Sequence, residues 1–494
     1  MNAVRLTDAT LPVASGRRPA YARAAHGVGI VHLGIGAFHR AHQAVYTDDA
    51  LAASGGDWRI LGVSLRGTDV AEQLNPQDGL YTLLIQGEGR TEARVIGSVA
   101  QVLPAARNGS AALAALTDPA TRIVSLTVTE KAYGIDRLTG RAQESHAAIG
   151  HDLAEPSRPT GAIGFIVEAL RLRRLTGAAP FTVLCCDNLP KNGALIRAGV
   201  LDFAGRVDPA LSEWTAENVP FPATMVDRIT PAATADTRAL VEAQIGLADH
   251  GAIETEPFTQ WVIEDRFAIG RPEWEAGGAL MVTDVEPYEL MKLRMLNGTH
   301  SMLAYAGFLA GRTYVRDVMA DALLPRLVRR HFTAAAATLH PLEGVSFSAY
   351  AEALADRFAN PAIAHETYQI AMDGTEKLPQ RLLQPALEVL ESRGDLRPFA
   401  FAVASWMRYC LGRKDDGTRY ALRDPRETAI SAALVRAGSS PEAIVAALHN
   451  LEGLFPDRLV QDTFWRGAVT DVLRRMLDAG VSSAIESEAM ERTA

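Results

Sequence analysis

Between Pro287 and Leu309 the sequence has helical periodicity and carries Glu289, Lys292, Asn297 and His300. At about 100° per residue these four project within an arc of roughly 140°, with Lys292 and His300 roughly 80° apart, so one α-helix would set them on one face. Such a stripe is ordinarily the solvated side of an amphipathic helix. Here Met291, Met295, Leu296, Met302 and Leu303 surround it, so a buried helix would need its polar groups for chemistry. Oxidising a secondary alcohol without a metal needs a base for the hydroxyl proton and donors for the oxygen as the hydride leaves. A lysine whose charged form is disfavoured by burial can be that base. Neutral amides donate hydrogen bonds to the oxygen without titrating themselves. Lys292 and Asn297 suit these two tasks. A second amide, Asn188, directly follows an apparent strand at Phe181 to Cys186, the end at which open α/β sheets place their ligands.

The elements that must position these groups change character along the chain. Short β-branched runs at Gly29 to Leu33, Trp58 to Leu65, Thr121 to Val128, Phe181 to Cys186 and Thr224 to Val226 alternate with helical patterns such as Ala162 to Leu175. That alternation predicts an α/β domain, Rossmann-type and doubly wound around a mostly parallel sheet. Tyr81 to Leu103, with Gly87 and Gly89 near its centre, reads as an inserted β-hairpin. From about Glu286 the texture becomes Ala/Leu/Arg-rich and helical, in Tyr288 to Leu309, Val315 to Arg330, Pro385 to Ser392 and Ser440 to Leu451. The expected organisation is a dinucleotide-binding domain over 1–284 and a mainly α-helical C-terminal domain over 285–494.

Directly after the first strand comes Gly34-Ile35-Gly36-Ala37-Phe38-His39, a variant of the dinucleotide fingerprint with His39 at the third glycine position. The first glycine permits a tight turn and the second lets backbone approach a pyrophosphate. Past the second strand, Asp69 favours the free ribose of NAD, while Arg66 would accept the phosphate of NADP, which leaves NADP open. Both also read as solvated turn residues. His39 and His42, three apart on a helix, form a conceivable metal pair, but no nearby acid or cysteine completes a ligand set, so no metal is expected.

The composition narrows the class of protein. With 48% hydrophobic and 22% charged residues over 494 positions, the chain is an ordinary globular enzyme in its bulk properties. A net charge of −9 with no basic block argues against nucleic acid as a partner. There is no uninterrupted apolar run of about 18 residues and no signal-peptide pattern at the N-terminus, so neither membrane nor export is expected. Three cysteines, two of them adjacent at Cys185 and Cys186, give no disulfide framework and point to the cytoplasm.

Taken in order, Gly34 to His42, Thr129-Glu130-Lys131-Ala132-Tyr133, Cys186-Asp187-Asn188-Leu189-Pro190, Met225 to Pro231 and Lys292 to His300 resemble the mannitol dehydrogenase family of polyol-specific long-chain dehydrogenases. That family also contains fructuronate and tagaturonate reductases. Similarity around Asp373 to Pro379 carries the resemblance into the second half. It implies a Rossmann-type domain, a mainly helical domain and a metal-independent mechanism in the cleft between them. By motif position, Lys292 resembles the general base, Asn188 and Asn297 the oxyanion clamp, His300 a substrate-orienting residue, and Glu289 a glutamate associated with proton passage to solvent. The same comparison assigns Gly34, Gly36, Phe38, His39, Arg40, Asp69 and Glu130 to the cofactor, and Lys131, Asp227, Gln369 and Lys377 to a small sugar acid or polyol.

Within the family, mannitol-specific members are expected to carry an arginine eight residues before Lys377, where this chain has Gln369. The segments Tyr368 to Gly374 and Lys377 to Leu383, with Thr129-Glu130-Lys131, look more like fructuronate reductase. Lys131 would then help hold a uronate carboxylate, or else pair with Glu130 or Asp136 on the surface. The reading is NADH-dependent reduction of the C2 keto group of a hexuronate, D-fructuronate to D-mannonate. The alternatives are D-fructose and D-mannitol, a related polyol, or a dinucleotide-binding protein without turnover.

Overall fold

The computed structural model describes residues 4–87 and 89–491. They fall into two compact units, Met1–Glu286 and Pro287–Ala494.

In the first unit the strands run β1 (Val28–Leu33), β2 (Arg59–Ser64), β3 (Tyr81–Gly87), β4 (Arg90–Ile96), β5 (Val99–Pro104), β6 (Ile123–Leu126), β7 (Thr182–Cys185), β8 (Thr224–Asp227), β9 (Ile253–Thr255), β10 (Gln260–Glu264) and β11 (Leu280–Val282). A five-stranded sheet has the order β5-β2-β1-β6-β7, and all its pairs are parallel. Strands β1, β6 and β7 are mostly apolar and almost wholly buried, as expected of a sheet covered by helices on either side. The chain order reverses between β1 and β6, so the loops leaving those two strands flank the switch point at which such sheets bind ligands.

The expected hairpin over Tyr81 to Leu103 needs a correction. Only β3 and β4 form the antiparallel hairpin, which joins β9 in a separate three-stranded sheet, whereas Val99 to Pro104 returns as β5 to the edge of the parallel sheet. Residue 88, at the hairpin tip, lies outside the described residues. The alternating pattern runs on past Gly97 and Ser98, and a period of two does not say which sheet a strand joins.

Among the described residues of the second unit, every regular element is helical. Two expected helices are interrupted. Val315 to Arg330 is two helices, Val315–Met319 and Leu324–Ala336, because the Asp321 carboxylate accepts from the Leu323 and Leu324 amides and Pro325 opens the second helix. The stretch Tyr288 to Leu309 consists of an α-helix Glu286–Met291, a π-helical segment Lys292–Gly298 and an α-helix Thr299–Leu309. The 100° spacing used to align its polar residues therefore fails in the segment that carries them.

Candidate active site

The loop after β1 is held from beneath. Gly34 has φ +94°, and a Cβ there would stand 2.4 Å from the Thr127 carbonyl oxygen, so glycine is required for both conformation and space. His32 bridges Ser125 and Thr127, with each ring nitrogen 2.8 Å from a hydroxyl, and the Thr127 hydroxyl donates to the Gly34 carbonyl at 2.8 Å. Burial pushes the His32 imidazole down to about 3, so the ring is neutral and has one N–H to give. The Thr127 hydroxyl proton is used on Gly34 and the Ser125 hydroxyl proton on Gln43 Oε1, so the ring N–H is given to one of these two hydroxyl oxygens. Gly36, by contrast, has open space where a Cβ would project, with only the Gly34 oxygen near, at 3.8 Å.

The structure separates residues of the fingerprint that the sequence grouped together. His39 is fully buried and stacks on His32 with ring centroids 3.4 Å apart, so its side chain is packing beneath the loop, not ligand-facing surface. Arg40 is also buried. Its guanidinium donates to the carbonyls of Gly36 and Gly251, bracing the turn. Half-buried Phe38 stacks on His42, whose Nε2 donates to the Gln260 carbonyl at 3.0 Å. The conceivable His39/His42 metal pair is thus divided between two core contacts, and no group of three potential ligands occurs among the described residues. Past β2, Arg66 and Asp69 are exposed, and neither forms an ion pair among the described residues.

The turns after β6 and β7 are clamped to one another by Asp187. Its carboxylate accepts from the Val128 amide at 3.0 Å, the Thr129 amide at 3.3 Å and the Tyr133 hydroxyl at 2.6 Å. Burial pushes the Asp187 carboxyl up, and these hydrogen bonds oppose that shift. Thr129 has φ +72°, a strained conformation for a β-branched residue, and its amide is one of the three donors to Asp187. Asn192 donates to the Cys185 and Asp187 carbonyls and ties this turn to Thr224 at the start of β8. Asn188 therefore projects from a turn fixed on both sides. Sequence reasoning passed over Asp187, although it adjoins Asn188 in the motif. Glu130 pairs with Arg137, and exposed Lys131 pairs with neither Glu130 nor Asp136. Asp227 is buried at the end of β8.

In the second unit Lys292 is buried at the first residue of the π-helical segment, and half-buried Asn297 follows five positions later. In an α-helix that separation turns a side chain through about 140°. A π-helix turns through fewer degrees per residue, which brings the two closer together around the axis than an α-helix would. A second π-helical segment, Pro379–Leu383, packs against the first, and Gly298 allows it, since a Cβ there would come within 2.8 Å of the Arg381 carbonyl oxygen. Pro379 has no N–H for the carbonyl four residues back, which favours the wider turn. The Asn297 carbonyl accepts from Ser301 Oγ at 3.1 Å and from Arg381 Nη1 at 3.5 Å. Arg294 anchors the far side through a bidentate pair with Glu388 at 2.6 and 2.7 Å.

His300 stacks on Phe358 and meets His365 edge-on, which fixes the plane of its ring. Burial, followed by the charges of His365, Arg357, Arg381 and Lys377, pushes its imidazole well below the ordinary histidine range. It is a neutral hydrogen-bonding group at physiological pH. Glu289 is half-buried one turn before Lys292. Lys377 donates to the carbonyls of Ile370 and Met372 at 3.3 and 2.5 Å, while Gln369 is exposed.

The architecture agrees with the matches to known proteins. Residues 28–276 match the mannitol dehydrogenase Rossmann domain, and residues 284–464 match the mannitol dehydrogenase C-terminal domain. The chain belongs to the mannitol dehydrogenase family. It is accordingly an oxidoreductase of CH–OH groups. Among relatives in the mannitol dehydrogenase family, D-mannonate oxidoreductase of Escherichia coli (strain K12) is 44% identical over 97% of this chain and 99% of its own length. The crystal structure of a substrate-free D-sorbitol dehydrogenase superposes with a TM-score of 0.91 at 34% identity, covering 98% of this chain and 100% of that one. Pseudomonas fluorescens mannitol 2-dehydrogenase, in a ternary complex with NAD and D-mannitol, gives 0.79 at 36% identity over 99% and 100%. No helix among the described residues is long and apolar enough to cross a membrane.

Proposed function

We propose that the protein reduces the C2 keto group of an open-chain hexuronate reversibly with NADH, converting D-fructuronate to D-mannonate. The observation that carries the chemistry is Lys292, buried at the start of a widened turn, with the Asn297 amide one π-turn further on. The full-length likeness to a D-mannonate oxidoreductase supports the substrate, as does Gln369 where mannitol-specific members are expected to have arginine.

NAD, when bound, supplies or accepts the hydride. The glycine turn at Gly34 and Gly36 would hold its pyrophosphate, and Asp69 its adenosine ribose. Lys292 Nζ takes the hydroxyl proton in the oxidative direction and returns it in the reductive one. The Asn297 and Asn188 amides are assigned to the substrate oxygen, where neutral donors stabilise developing negative charge without titrating. Neutral His300 orients the substrate by a hydrogen bond, and Glu289 passes the proton between Lys292 and solvent. Asp227 and Lys377 are assigned to the polyhydroxyl chain.

The likeness to mannitol 2-dehydrogenase favours a second reading, fructose to mannitol. Initial rates of NADH and NADPH oxidation with D-fructuronate and D-fructose side by side separate the two. Preference for fructuronate with NADH supports the proposal, and preference for fructose replaces it with the second reading.

A further inference from the structure

Several buried or half-buried arginines of the second unit have their charge matched inside the protein. Arg294 is paired with Glu388, Arg397 with Glu488 and Asp471, and Arg408 with Asp415. Arg381 differs from these. It is half-buried on the second π-helical segment, and among the described residues it makes no ion pair. Its two hydrogen bonds, to Ser301 Oγ at 3.2 Å and to the Asn297 carbonyl at 3.5 Å, both use Nη1. The opposite edge of the guanidinium, Nε and Nη2, is left without a partner among the described residues. That edge is a fork of two parallel N–H donors, the geometry that takes a carboxylate in two hydrogen bonds.

A partly desolvated guanidinium without an anion is unfavourable, so a fold that fixes one beside its reacting groups has a use for it. The surroundings of Arg381 do not neutralise it. Lys377, four residues earlier, has its ammonium on two backbone carbonyls, and Asp373 is 3.9 Å from it and half exposed. Arg357, Lys377 and Arg381 all act on His300. Lys131 lacks these features, being exposed and long, with no hydrogen bond among the described residues to fix its ammonium.

We propose that Arg381 receives the terminal carboxylate of the substrate on its Nε/Nη2 edge, while Nη1 ties that recognition to the backbone of Asn297. Arg381 is then the residue by which this protein distinguishes a hexuronate from a neutral ketose. The assignment rests on the hexuronate reading above. Because the same guanidinium holds the Asn297 carbonyl, substrate charge and oxygen stabilisation share one support.

The test compares Arg381→Met, Arg381→Lys and Ser301→Ala with the wild-type enzyme on D-fructuronate and D-fructose, with NADH affinity measured as a check on folding. Arg381→Met is expected to lower kcat/KM for fructose by about tenfold, through the lost support of Asn297, and for fructuronate by about 100-fold or more, the excess lying mainly in KM. Arg381→Lys keeps the charge but loses the fork, and should cost about tenfold more on fructuronate than on fructose. Ser301→Ala removes one support of Nη1 and should lower both substrates alike. Equal losses on the two substrates in both Arg381 variants would overturn the proposal and leave Arg381 a positioning residue for Asn297. If Arg381→Met does not bind NADH, Arg381→Lys decides by the same comparison. A wild-type enzyme that prefers fructose overturns the hexuronate reading itself, a result distinguishable from equal losses in an enzyme that prefers fructuronate.

Discussion

Asn297 stands five residues after Lys292 on a π-helical segment, whose smaller rotation per residue brings the amide and the amine closer together around the helix axis. On an uninterrupted α-helix they would diverge by about 140°. The alignment depends on packing against the second wide turn, at Gly298.

Gly298→Ala tests that dependence. The new methyl group would meet a backbone carbonyl oxygen at 2.8 Å, a neighbour that cannot rotate aside. A loss of about 1–3 kcal/mol of stability is expected, with a fall in kcat larger than the change in NADH affinity. Denaturant titration and steady-state kinetics check this, and an unchanged kcat would show that the paired wide turns do not set the active geometry.

Lys292→Ala should lower alcohol oxidation by at least about 100-fold with NAD affinity retained. In the wild-type enzyme, oxidation should rise with pH and reduction should fall, because the two directions need opposite protonation states of one group. Parallel pH profiles would remove Lys292 from the role of base.

Cofactor choice can be read at the end of β2, where Arg66 and Asp69 are both exposed. Asp69→Ser should raise kcat/KM for NADPH relative to NADH by about tenfold or more, since the carboxylate repels a 2′-phosphate and Arg66 attracts it. An unchanged ratio of the two cofactors would show that Asp69 does not meet the ribose.

Acid sensitivity follows from buried imidazoles. Burial pushes His32 and His331 each down to about 3 from an ordinary 6.5. The unfolded chain takes up these protons as pH falls through about 6.5, and the folded protein does not until about 3. Stability from these residues is therefore complete above 6.5 and is lost progressively between 6.5 and 3. Urea titrations at several pH values should show that slope, and His331→Asn should flatten it whatever its effect at neutral pH. A slope unchanged in His331→Asn would contradict the assignment.

Exposure to a chelator should leave the rate unaltered, because the proton acceptor and oxygen donors proposed here are side chains. Loss of activity with EDTA, restored by zinc, would require a different mechanism.

The alternation of strands and helices, the glycine turn after β1, and the residue types for a proton acceptor with neutral donors are all legible in the sequence. These are local properties: a strand's burial pattern, a turn's need for glycine and a motif's spacing survive without knowledge of what packs on them. Only the tertiary structure decided that Val99 to Pro104 belongs to the parallel sheet, because its pattern is the same in either partner. It also placed His39 and Arg40 inside the core, although their positions in the fingerprint suggest ligand contacts. The Asp187 clamp on Thr129 and Tyr133 and the packing of Arg381 on the wide turn that begins at Lys292 join residues 54 to 84 positions apart, so no window of sequence contains them. Tertiary packing can replace an α-helical turn by a π-helical one at small local cost, and helical periodicity read from the sequence is blind to that replacement.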